Sequence, residues 1–113
     1  MAYDPQKVWE QEFGYASSGH DFTGREVRKS ECGKSYSPYG WDIDHIMPVS
    51  LGGSDTRSNL QIVNIQTNRE KANKTSFIAN FRNYQVKRKG SVGYYDTVAD
   101  YDYSNKDYII VRN

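Results

Sequence analysis

The stretch from Trp41 to Val63 leaves this chain few ways to fold. Trp41, Ile43 and Ile46 are set against Asp42, Asp44 and His45, a near-alternation that predicts a short strand from Trp41 to Met47 running into Pro48. Gly52-Gly53 marks a reversal, and Ser54 and Asp55 continue the loop. The run Leu60-Gln61-Ile62-Val63 is short, apolar and β-branched, and returns as a second strand. A helix is predicted from about Gln66 to Thr75, a segment rich in Glu, Lys, Arg and Ala. Two strands and a helix closing around a small polar site is the resulting core.

Alternation sends neighbouring side chains to opposite faces, so Asp44 and His45 point different ways. That suits a division of labour in which one residue holds a metal and the other handles a water. Asp42, two residues before Asp44, shares its face and is a candidate auxiliary metal group. On the predicted helix, Asn68, Lys71 and Thr75 fall three and four residues apart and share one side. Singly, each feature has an ordinary reading: an Asp-His pair is common, Asn is a frequent cap, and Gly-Gly is a frequent turn. Together and in order, the acidic residue beside a histidine, the tight turn, the two asparagines and the lysine form a residue set for metal-assisted phosphodiester hydrolysis. A neutral imidazole with a pKa near about 6.5 can take a proton from water at physiological pH, which makes His45 the candidate base.

Over residues 40 to 75 this pattern resembles the HNH family of endonucleases, whose core is a ββα-metal fold. The resemblance implies that His45 is the general base, Asp44 a metal ligand, and Asn59 the asparagine that orders the loop. The third motif position is Asn68 here, a variant that ligates through its amide oxygen. The lead-in Asp21-Phe22-Thr23-Gly24-Arg25 resembles a segment found upstream of the motif in bacterial and phage members. Many relatives add a cysteine zinc knuckle; Cys32 is the only cysteine here, so no structural zinc is expected. One carboxylate and one amide oxygen suit Mg²⁺, with Mn²⁺ as the alternative. Lys71 is expected to contact a phosphate or the scissile group. The implied activity is metal-dependent endonuclease cleavage of DNA, nicking duplex with low sequence specificity. Two rivals are an HNH-derived DNA-binding module that no longer cuts and a nuclease toxin domain with an immunity protein as partner. A double-strand break calls for a homodimer, a larger phage or restriction assembly, or two successive events.

The fold class expected is α+β: one small domain over residues 1–113, with a ββα-metal core flanked by helices and a C-terminal β segment. At 113 residues the chain has room for one core, and at 36% hydrophobic that core leans on aromatics, including ten tyrosines and two tryptophans. The net charge of +1 hides a strong asymmetry: −4 over residues 1–56, +7 over 57–89 and −2 over 90–113. The middle block adjoins the motif and is the expected footprint of a phosphate backbone, with Arg57, Arg69, Lys74, Lys87, Arg88 and Lys89 as candidate DNA contacts. There is no apolar run long enough to span a bilayer, and Met1-Ala2-Tyr3-Asp4 does not open a signal peptide, so a soluble, cytoplasmic protein without a membrane partner is expected, bacterial or phage-encoded.

Elsewhere, Asp4 as N-cap, Pro5 at the first helical position and Gly14 as a stop predict a helix over residues 5–13. Phe77, Ile78, Phe81 and Tyr84 stand at helical spacing and predict a second amphipathic helix or an extension of the site helix. His20 reads as a loop residue. The Tyr- and Asp-rich stretch from Tyr94 to Tyr103 reads as packing, and Tyr108 to Val111 as a strand.

Overall fold

The computed structural model describes residues 3–91 and 101–113, so the part of the Tyr- and Asp-rich stretch from Tyr94 to Asp100 lies outside the described residues. The fold is α+β. In chain order come helix α1 (Pro5–Phe13), strands β1 (Ser18–His20), β2 (Glu26–Arg28), β3 (Trp41–His45) and β4 (Leu60–Asn64), helix α2 (Ile65–Lys71), and strands β5 (Ser76–Ala79), β6 (Arg82–Arg88) and β7 (Tyr108–Arg112). They pair as three small antiparallel sheets: β1 with β2, β3 with β4, and β5-β6-β7.

Helix α1 has the expected bounds and caps. The Asp4 side chain accepts the Gln6 N–H at 3.0 Å, and Gly14, at φ 64°, ends the helix with its own N–H on the Glu10 carbonyl. Its buried face, Val8 and Trp9, packs with Val27, Trp41 and Ile62 against one side of the β3–β4 ribbon. The Trp9 and Trp41 rings lie 5.2 Å apart, and both are fully buried. A buried aromatic hides roughly 150–250 Å², on the order of 4–6 kcal/mol of gross transfer free energy each.

The β3–β4 register sets the faces. Asp42 is opposite Val63 and Asp44 opposite Gln61, while Ile43 is opposite Ile62 and His45 opposite Leu60. Directly opposed residues in an antiparallel pair share a face. Asp42 and Asp44 therefore sit on the face away from α1, towards a second cluster built from Phe22, Ile46, Val63, Phe77, Tyr84, Val86 and the C-terminal strand.

Two expectations are corrected. The site helix ends at Lys71 rather than near Thr75, because Ala72 turns to φ 50°, ψ −143°, and the chain enters β5 at Ser76. Asn73 and Thr75 are weak helix formers, and Phe77 gains more by packing into the core as a strand residue. Phe77 to Tyr84 is not a helix but the β5–β6 hairpin. Phe77 and Tyr84 are opposed across the hairpin, with rings 5.9 Å apart, whereas Ile78 and Phe81, which completed the helical pattern, are exposed. The reversal occurs at Asn80 and Phe81, both at positive φ (47° and 65°). Asn accepts that conformation, and its backbone N–H and amide are held by Glu70 Oε1 and the Thr23 carbonyl. His20, expected in a loop, is the exposed last residue of β1.

The tail serves packing where it is described. Tyr101 and Tyr103 are buried in the second cluster, and β7 takes the predicted Tyr108–Val111 with one added residue. Lys106 and Glu12 form a buried ion pair that ties this segment to α1.

Candidate active site

Three elements bring the motif residues together: β3, the loop from Ile46 to Asn59, and α2. Asp42 and Asp44 lie on the α2 side of β3, and Asn68 and Lys71 lie one turn apart on α2. Asn68 Nδ2 is 3.4 Å from Asp42 Oδ2, and Lys71 Nζ is 3.1 Å from Asp44 Oδ2. The strand's two-residue step and the helix's three-residue step thus run in parallel, each acidic residue facing one helix residue.

Lys71 does not take up the phosphate contact expected of it. Its side chain is 0% exposed, and its ammonium donates to the His45 carbonyl at 3.0 Å while pairing with Asp44 and lying 6.0 Å from the centre of the Phe77 ring. A lysine on a seven-residue helix at the base of the ribbon can only reach inward here, where an unpaired carboxylate would otherwise be buried. Burial pushes the Asp44 carboxyl up from its ordinary value, and the Lys71 ammonium and Gln61 amide pull against that. The sequence marks Gln61 only as a strand residue. It stands opposite Asp44, donates to Asp44 Oδ2 at 2.9 Å, and accepts from the Tyr103 hydroxyl at 2.7 Å. Burial, and then the Asp44 charge, hold the Tyr103 phenol well above the usual range, so it stays a donor and fixes the Gln61 amide with its N–H₂ towards Asp44.

Asn59 is fully buried and uses all of its amide. Its Oδ1 accepts the Met47 N–H at 2.9 Å, and its Nδ2 donates to the Met47 and Ser54 carbonyls at 2.9 and 2.8 Å. It ties the loop back on itself just beyond His45. Gly53 is required by that closure: a Cβ there would stand 1.9 Å from the Met47 carbonyl oxygen.

His45 lies at the end of β3, on the face opposite Asp44, and its Nε2 is 2.7 Å from Asp55 Oδ1. Nothing in the local sequence marks Asp55, ten residues on and across the glycine turn, as its partner.

The lead-in Asp21 to Arg25 is a buried clamp. Asp21 Oδ1 accepts from the Thr23 N–H and hydroxyl and the Arg25 N–H, while Oδ2 accepts the Asn64 N–H at the start of α2. Arg25 reaches Thr67 and Glu70 on the same helix. Asn64 caps α2 by accepting the Gln66 N–H at 2.9 Å. This scaffold sets the angle at which Asn68 meets β3.

The donor set fits a hard divalent cation bound through oxygen. Asn68 turns its Nδ2 towards Asp42, so its Oδ1 has no hydrogen bond among the described residues, and the same holds for Asp44 Oδ1. Oxygen donors of this kind, with the half-buried Asp42 alongside, would suit a cation such as Mg²⁺ that keeps several of its waters. Among the described residues no group of three or more His, Cys, Asp or Glu could hold a metal, and Cys32 is a free thiol, its pKa raised by burial.

The candidate DNA contacts are spread more widely. Arg57, Arg69, Lys74, Arg88 and Lys89 are exposed and Lys87 is half-buried. Arg69 lines a cleft of about 530 Å³ beside α2 with Arg25, Tyr36 and Tyr39. Arg88 lies over the Tyr108 ring, and Lys89 donates to the Ser104 carbonyl. No helix among the described residues is long and apolar enough to cross a membrane.

A family model described as HNH endonuclease matches residues 22–77, from the Asp21–Arg25 clamp through both strands and α2 into β5. Neither the curated proteins nor the solved structures give a match.

Proposed function

Since the chain belongs to the HNH endonuclease family, we propose that it is a metal-dependent DNA endonuclease that hydrolyses phosphodiester bonds, nicking duplex DNA with low sequence specificity. The observation that carries the reading is the pairing of Asp42 with Asn68 and Asp44 with Lys71 on one face of β3 while His45 occupies the other.

In this reading Asp44 and Asn68 hold Mg²⁺, or alternatively Mn²⁺, through oxygen, with Asp42 as an auxiliary group. The bound ion supplies neutralisation of the charge that builds on the phosphate and the leaving 3′-oxygen. His45 removes the proton from the attacking water. Lys71, buried beneath Asp44, keeps that carboxylate ionised and aligned rather than touching substrate. Asn59 holds the loop that frames His45. Exposed Arg57, Arg69 and Lys74, with Lys87, Arg88 and Lys89 further along, supply backbone attraction that carries little base reading.

The test is incubation with supercoiled plasmid in Mg²⁺, Mn²⁺, Zn²⁺ or EDTA, for wild type and His45→Ala. Nicking that needs Mg²⁺ or Mn²⁺ and falls by roughly 10²- to 10⁴-fold in His45→Ala, at unchanged DNA affinity, is expected. DNA binding without cutting in every metal would identify a binding module instead.

A further inference from the structure

His45 has two ring nitrogens, and a base needs the lone pair of one of them. The Nε2 is 2.7 Å from Asp55 Oδ1, and an ionised carboxylate can only accept. A neutral His45 in this contact must therefore carry its proton on Nε2, leaving the Nδ1 lone pair free, and no residue among those described bonds to Nδ1. The contact sits on a fixed frame. Asn59 Nδ2 holds the Ser54 carbonyl at 2.8 Å, the Gly53 N–H bonds the Pro48 carbonyl at 3.0 Å, and the Tyr3 hydroxyl donates to the Asp55 backbone carbonyl. The Ser54, Thr56 and Ser58 hydroxyls form a hydrogen-bonded chain along the same loop. The loop therefore restrains the Asp55 backbone and keeps its carboxylate, itself 58% exposed, within reach of the ring.

We propose that Asp55 is a positioning residue that locks His45 as the Nε2–H tautomer and so makes Nδ1 the nitrogen that accepts the proton of the attacking water. The proposal rests on the endonuclease reading for its catalytic consequence, but not for the contact itself. In the step, Nδ1 takes a proton from water as the water oxygen bonds to phosphorus and the bond from phosphorus to the 3′-oxygen breaks. Nε2–H stays bonded to Asp55 throughout, and the positive charge formed on the ring is next to that carboxylate.

The chain has only two histidines, so long-range ¹H–¹⁵N spectra of the metal-free protein in EDTA, at a pH where the rings are neutral, resolve each ring, and His20→Gln assigns them. Wild-type His45 is expected to show a pyrrole-like Nε2 and a pyridine-like Nδ1. Asp55→Ala is expected to give a mixture of tautomers and to lower the single-turnover cleavage rate by at least about tenfold, yet by less than His45→Ala, with DNA affinity unchanged. An Nδ1–H ring in the wild type, or an unchanged ring spectrum or rate in Asp55→Ala, would each overturn the proposal. Wild-type cleavage by His45→Ala would instead remove the catalytic reading, while the ring spectra would still decide the contact.

Discussion

Lys71→Met is the substitution whose cost the geometry fixes best. Methionine keeps most of the buried apolar stem and removes the ammonium, with its approach to the Phe77 ring. What remains is Asp44, its side chain 10% exposed, with Gln61 as its sole hydrogen-bond donor among the described residues, and a His45 carbonyl deprived of its 3.0 Å partner. The Lys71–Asp44 pair belongs to the interior, unlike Arg28–Glu26, whose side chains are 48% and 37% exposed. Removing one partner of a buried pair costs about 3–5 kcal/mol, whereas an exposed pair is worth about 0–1. Against a total of roughly 5–15 kcal/mol for a domain, that loss brings the variant near the folding threshold.

The assay is urea unfolding in EDTA, so that no bound cation masks the loss. Asp44→Asn added to Lys71→Met removes the stranded charge, and the double variant is expected to be more stable than Lys71→Met alone, with a coupling of about 1–3 kcal/mol. The pH dependence has a definite sign. The folded-state pKa of Asp44 is raised, so protonation favours the fold, and the penalty in Lys71→Met is expected to shrink as pH falls through that raised value. A Lys71→Met loss below about 1 kcal/mol, or a double variant as unstable as the sum of the single ones, would refute the interior assignment.

Asn59→Ala removes three hydrogen bonds from a fully buried side chain and leaves the Met47 and Ser54 groups unpaired, so a loss of about 2–4 kcal/mol by denaturant midpoint is expected, with faster amide exchange over residues 47–56. Burial pushes the Glu70 carboxyl up, but Arg25 and the Asn80 N–H outweigh it and hold the pKa below the ordinary value. Glu70 therefore adds stability that is present at neutral pH and lost as pH falls through the depressed folded value; Glu70→Gln is expected to be less stable by on the order of 1 kcal/mol at pH 7, a difference that thermal melts should see vanish in acid. Replacing Arg69 and Lys74 together with alanine is expected to flatten the log-log salt dependence of duplex binding by about 0.9 for each phosphate that these two side chains neutralise, measured by anisotropy across salt concentrations, and to weaken unrelated sequences alike.

What the sequence could reveal divides along the range of the forces involved. Helix α1, the β3–β4 ribbon and β7 are legible because each is written in neighbouring residues: a cap with Pro5 and Gly14, an alternation, a β-branched run. The β5–β6 hairpin is hidden because Phe77, Ile78, Phe81 and Tyr84 satisfy a helical period by coincidence, and only the core contact between Phe77 and Tyr84 decides for strands. At the site, alternation alone makes Asp42 and Asp44 share a face, but no local rule could supply their partners. Asp44 is held by Gln61 from the opposite strand, and Gln61 by Tyr103 from 42 residues further along. His45 meets Asp55 only because Asn59 folds the intervening loop shut. The motif residues are thus visible one by one in the sequence, whereas their protonation and orientation depend on buried polar chains that close over long separations. In such a chain, changing a remote donor such as Tyr103 perturbs Asp44 as directly as changing its neighbour, because an unsatisfied Gln61 is free to turn its amide and present oxygen to the carboxylate.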